Sequence, residues 1–159
     1  MDRIDSLRKQ LRKILDWEDA HVSFDTAVEG VPPAIRGIVP EGLRHSLWQL
    51  IEHLRLAQLD ILEFCRNPDY VEPSLDEYWP PTAAPPSEDA WEQSIAAFRR
   101  DLEQLKQLAA DTTLDLFGRI PHGRGQTYLR ELLLVADHNA YHVGQLVAVR
   151  RSLGAWGRA

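Results

Sequence analysis

Val135-Ala136-Asp137-His138-Asn139-Ala140-Tyr141-His142-Val143-Gly144-Gln145 reads as the middle of a long helix that carries two histidines on one face. Leu132, Val135, His142, Leu146 and Val149 recur at helical spacing, which predicts a buried stripe. His138 and His142 stand four apart, so their Cβ atoms are neighbours at about 5–6 Å. Two imidazoles so placed can converge on one ion. In the zinc-protease form of H-x-x-x-H a glutamate follows the first histidine as general base. Here that residue is Asn139, which argues against protease chemistry. Thr127 is expected to cap this helix, Arg150 and Arg151 suit the negative end of its dipole, and Gly154 ends it after Leu153.

Working outward, three more segments carry the helical period. In the first, Ile4, Leu7, Leu11 and Ile14 form a stripe that weakens through Trp17 and Val22 and ends before Gly30. Gly30-Val31-Pro32-Pro33 cannot continue a helix, because proline lacks the N–H donor. The second helix is expected to begin at Ser46, since Ser46-Leu47-Trp48-Gln49 fits a capping box. Leu50, Ala57, Ile61 and Phe64 mark its inner face, and Asn67-Pro68 stops it. Ser87 caps the third, whose seam is Trp91, Ile95, Phe98, Leu102, Leu105 and Ala109. Between these two, Pro68 to Ser87 is rich in proline but also holds Tyr70, Tyr78 and Trp79. So many aromatics predict an ordered crossover lying on the helices rather than a loose linker. No strand-period segment, repeat or low-complexity tract interrupts the pattern. The expectation is one all-α domain over residues 1–159, a four-helix bundle with a long crossover between helices two and three.

Composition sets limits on the function. With 159 residues the chain can bury one substantial core but hardly two. A formal net charge of −6 leaves no cationic field for a phosphate backbone, so nucleic acid is not expected as a partner. No apolar run approaches the roughly 18 residues that would cross a membrane, and MDRIDSLRKQ is polar and helical in pattern rather than a signal peptide. A cytoplasmic location is the expectation by default. Cys65 is the single cysteine, so no disulfide can form within the chain, and a buried bystander thiol is expected.

His53 gives the paired histidines their weight. It lies three residues after Leu50 and four before Ala57, on the inner face of the second helix. An inward imidazole must find a partner, because leaving it unpaired is costly. A backbone carbonyl or Tyr141 would satisfy it; so would a metal ion shared with His138 and His142. Three inward histidines on two helices favour the ion. His21, His45 and His122 are expected to be exposed or structural. Trp17, Trp48, Trp91 and Trp156 are read as core or interface residues, and Arg124 as a solvated loop arginine.

Ser46-Leu47-Trp48-Gln49-Leu50-Ile51-Glu52-His53 and the segment 135–145 together resemble the DinB/YfiT-like superfamily of metal-dependent helical bundles. The resemblance covers almost the whole chain. It implies up-down-down-up topology, a homodimer, and a triad of one histidine from the second helix with an H-x-x-x-H pair from the fourth. That triad maps onto His53, His138 and His142 as the metal ligands, with zinc or nickel the expected ion. Asp137 or Glu52 are candidates to orient a ligand imidazole through its remote N–H, and Tyr141 to line the pocket.

Three functional classes remain after this reading. The first is a metal-dependent transferase or hydrolase that activates a low-molecular-weight thiol or water. Relatives implied by the resemblance include thiol-dependent S-transferases and an isomerase, but fold alone carries no activity across. The second is a non-catalytic metal-binding stress-response or interaction module. The third is a helical dimer whose histidines are only structural. Convergence of the three histidines disfavours the third; the catalytic residues, if any, are not assigned by the sequence.

Overall fold

Ser46, Ser87 and Thr127 each start a long helix. A computed structural model describes residues 2–16 and 18–157, so Trp17, expected above in the core or an interface, lies outside the described residues. The helices are α1 (Arg3–Ile14), α2 (Phe24–Val28), α3 (Leu47–Arg66), α4 (Glu88–Ala110) and α5 (Tyr128–Ser152), with short 3-10 turns at Pro33–Ile35 and Leu75–Tyr78. Among the described residues there is no strand, only an isolated bridge between Arg119 and Thr127.

The caps act through the expected atoms. Ser46 Oγ accepts the Gln49 N–H at 3.1 Å while Gln49 Oε1 accepts the Ser46 N–H at 3.1 Å, completing a capping box. Ser87 Oγ accepts from Ala90 and Thr127 Oγ1 from Arg130, each at 3.2 Å. Gly154 sits at φ +66°, the left-handed position that glycine adopts without a Cβ clash, just past α5. The first helix differs from expectation. It ends at Ile14, and the weak part of the stripe gives way to a separate helix, α2. Ser23 restarts the chain by capping Thr26 N–H at 3.2 Å, which brings Phe24, Ala27 and Val28 into the core.

Two apolar clusters hold the helices together. One joins Leu47, Leu50 and Leu54 of α3 to Trp91, Ile95 and Phe98 of α4, to Val143, Leu146 and Val149 of α5, and to α2. The other joins Leu11 and Leu15 to Ile61 and Leu62 of α3, Leu105 and Ala109 of α4, and Leu132 and Val135 of α5. Each fully buried large apolar side chain contributes about 1.5–3 kcal/mol by leaving water. Along α3 and α5, buried Gln58 and Asn139 fall between the two clusters, a polar step in an apolar interior.

The crossover is ordered against α3. Tyr70 and Tyr78 donate their hydroxyls to the two oxygens of Asp60, at 2.6 and 2.9 Å, and Ser46 Oγ donates to the Ala83 carbonyl. These three ties carry Tyr78 and Trp79 over the first turns of α3, beside His53.

Candidate metal centre

His53 comes from α3, His138 and His142 from α5. All three point into the same space: one ring nitrogen of each lies within 4.8 Å of one ring nitrogen of both others. His53 Nε2 and His138 Nε2 are 3.1 Å apart. The rings of His53 and His142 meet edge to face at 4.6 Å, and those of His138 and His142 are tilted at 56° and 4.5 Å apart. His53 and His142 are buried and His138 is half-buried.

The outward nitrogens explain why the inward ones are available. His53 Nδ1–H donates to the Tyr78 carbonyl at 2.8 Å, which fixes the proton there and leaves a lone pair on Nε2. His142 Nδ1 pairs with Gln145 Oε1 at 2.7 Å, one helical turn along α5, and Nε2 is again its free nitrogen. Burial pushes His53 down to about 4, against the raising pull of the Tyr78 carbonyl. Burial, and then the neighbouring imidazoles, push His142 down to about 4 as well. His138 is lowered by burial, against the opposing influence of Asn139 and Asp137. Neutral imidazoles at neutral pH are the form that ligates a metal.

This donor set fits a divalent ion of the zinc class. Zn–N bonds of 2.0–2.1 Å put tetrahedral nitrogens about 3.4 Å apart, close to the His53–His138 spacing. The group contains no thiolate or carboxylate, so three neutral nitrogens would leave a coordination position for another ligand. Cys65 cannot close it. It stands more than three turns beyond His53 on α3, about 18 Å along the axis, inside the other apolar cluster.

The crossover supplies the wall of the site. Trp79 stacks on His53 at 3.8 Å and 3°, and His45 stacks on Trp79 at 4.0 Å and 16°, so the indole is sandwiched between two imidazoles. A cavity of about 350 Å³ opens beside His142 and is lined by Leu43, Arg44, His45, Trp79, Tyr141 and Gln145. A second cavity, about 310 Å³, lies against Ala136, Ala140 and Val143 on another face of α5, with none of the three histidines in its wall. Only the first belongs to this centre.

The other candidates separate cleanly. Glu52 does not reach an imidazole: it accepts from Arg55 at 2.9 and 2.5 Å and from the Ser94 hydroxyl at 2.7 Å. Asp137 is exposed, so neither carboxylate orients a ligand histidine. Tyr141 lines the cavity mouth, 63% exposed, with its ring edge-on to His142 at 4.9 Å. His122 hydrogen-bonds the Phe64 carbonyl and His21 the Val22 carbonyl, structural roles as expected. Trp48 and Trp91 are core residues, and Trp156 lies under the Arg150 guanidinium at 4.9 Å. Arg124 is exposed, and Cys65 is buried with its thiol pushed up to about 12. Four contributors escaped the sequence reading: the Tyr78 carbonyl, Trp79 as a stacking partner, His45 and Gln145. Only Gln145 had a local signal, its position one turn after His142.

The family model of the DinB superfamily matches residues 16–146, which span His53, His138 and His142. Neither the curated proteins nor the solved structures yield a match to the chain. The family match covers most of the sequence, all of α3, and α5 as far as Leu146. The chain belongs to the DinB superfamily.

Proposed function

We propose that the protein binds one divalent ion, zinc or nickel, through His53, His138 and His142, and uses it to promote transfer or hydrolysis involving a low-molecular-weight thiol or water. The observation that carries this reading is the convergence of three ring nitrogens within 4.8 Å, with the far nitrogens of His53 and His142 already held by acceptors. When bound, such an ion supplies Lewis acidity toward a water, a thiol or a carbonyl. The chain's own part is to hold three imidazoles neutral and oriented, to screen one side with Trp79, and to leave the cavity beside His142 for a substrate. The test is a panel of small thiols with electrophilic acceptors, assayed with zinc-loaded, chelator-stripped and His53→Ala protein. Turnover confined to the loaded wild-type protein is expected; equal rates in all three preparations would remove metal-assisted catalysis of those reactions.

One observation favours the alternative, a non-catalytic metal-binding module. Of the carboxylates next to the ligands, Glu52 is engaged by Arg55 and Ser94, and Asp137 is exposed on α5. Metal binding without turnover in the same panel would select that reading.

The finer architecture follows the same proposal. An up-down-down-up order is supported by the clusters, since the first halves of α3 and α4 share one with the second half of α5. The latter halves of α3 and α4 share the other with the start of α5. A homodimer and a cytoplasmic location complete the proposal. Exposed Ile38, Val39 and Leu43 are compatible with the dimer, and no helix among the described residues is long and apolar enough to cross a membrane.

A further inference from the structure

Two of the three histidines have a partner for the nitrogen turned away from the group. His138 has none: its Nδ1 is buried without a hydrogen bond, and so is the side-chain oxygen of the next residue, Asn139. Asn139 ends a chain of amides that starts at a backbone carbonyl. The Phe98 carbonyl can only accept, so Gln58 turns its Nε2 toward it, at 2.8 Å, and its Oε1 toward Asn139. Asn139 must then present Nδ2 to Gln58, at 2.9 Å, which leaves Oδ1 as the free end. One carbonyl thus fixes the orientation of both amides. Gln58 is fully buried and Asn139 is 7% exposed, so water does not readily satisfy that oxygen.

The tautomer of His138 decides whether it is satisfied. His53 donates from Nδ1, so its Nε2 is an acceptor, and the 3.1 Å contact requires His138 to carry its proton on Nε2. Nδ1 of His138 is then a bare lone pair and has nothing to give Asn139. When His138 instead offers its Nε2 lone pair to a cation, the ring proton sits on Nδ1. That atom becomes a donor, and the adjacent residue, Asn139, carries the unpaired acceptor.

We propose that Asn139 and Gln58 are positioning residues of the metal centre: Asn139 Oδ1 receives the Nδ1–H of His138 in its ligating tautomer, and Gln58 anchors the Asn139 amide to the Phe98 carbonyl. The inference rests on the metal-binding reading above. It gives all three histidines the same support, the Tyr78 carbonyl for His53, Gln145 for His142 and the amide relay for His138. The relay also ties α5, through α3, to α4 at the level of the centre. It accounts for an asparagine where zinc proteases carry glutamate. A carboxylate there could accept from His138 but could not donate to Gln58 Oε1.

The test uses the full chain with zinc as the probe, in wild-type, Asn139→Leu and Gln58→Met forms, which keep side-chain volume while removing the relay. Leu105→Ala, buried in the other apolar cluster, controls for lost stability alone. Zinc affinity is measured by chelator competition, and the ring tautomers by ¹H–¹⁵N correlation of ¹⁵N-labelled protein. The expected result is a protected Nδ1–H on His138 in zinc-loaded wild type and about 10- to 100-fold weaker zinc binding in both relay variants. Leu105→Ala should melt earlier yet bind zinc as wild type does. If Asn139→Leu fails to fold, Gln58→Met and the wild-type spectrum carry the test. Wild-type affinity in the relay variants, or an Nε2–H on His138 in the zinc-loaded protein, overturns the proposal while leaving the metal reading intact. Absence of zinc binding by the wild type overturns the metal reading, and this proposal with it.

Discussion

The Tyr78 carbonyl fixes which nitrogen of His53 carries the proton, and a single backbone atom from the crossover thereby selects the face of a ring on α3. The sequence placed His53 inward through its spacing from Leu50 and Ala57, and it paired His138 with His142 through the helical period. It could not identify Tyr78 as the partner, because that hydrogen bond joins residues 25 positions apart and depends on where the crossover lies. Trp79 and His45 were out of reach for the same reason. A lone cysteine near a helix end reads as a bystander, and the surroundings of Cys65 agree: Ile61, Leu62, Leu105 and Leu132 share its cluster, and burial, then the Glu131 charge, push its thiol up to about 12. At pH 8 such a thiol stays protonated, whereas a free cysteine is about a quarter thiolate. Ellman's reagent should therefore modify Cys65 only as fast as the protein opens, and promptly once urea unfolds it. Rapid stoichiometric reaction in native buffer would contradict the buried assignment and reopen Cys65 as a nucleophile.

Helix ends were the most legible elements, because a cap is local chemistry: Ser46, Ser87 and Thr127 each satisfy an orphan N–H within three residues. The break between α1 and α2 was not read, since Ser23 caps only a five-residue helix, too short for its period to register. Ser46 does more than its sequence signature implies. Its Oγ accepts from Gln49 and also donates to the Ala83 carbonyl, so one hydroxyl starts α3 and pins the end of the crossover. Ser46→Ala removes both bonds and should lower stability by about 1–2 kcal/mol, read from urea unfolding. Because the crossover carries Trp79, zinc affinity should fall as well. A loss of a few tenths of a kcal/mol with unchanged zinc affinity would show that Asp60 alone, through Tyr70 and Tyr78, holds the crossover in place.

At the scale of the whole molecule, the apolar stripes were enough to predict an all-helical chain, and the family match over residues 16–146 agrees. What the stripes could not supply is the polar layer between the two clusters, where Gln58 and Asn139 meet across α3 and α5. A period count treats such residues as gaps in the pattern. The proposed homodimer is a separate matter. The four described tryptophans all pack against residues of the same chain, so the case for the dimer rests on the family resemblance and the exposed Ile38, Val39 and Leu43. Light scattering at tens of micromolar should give twice the 18.2 kDa chain mass, and a strictly monomeric mass would remove the dimer without touching the metal centre. The central claim is the shared ion, and the most direct measurement is zinc content by elemental analysis after chelator stripping, reloading and desalting. The account predicts one zinc per chain in the wild type and none retained in His138→Ala/His142→Ala; full occupancy in that double variant, or an empty wild type, would contradict it.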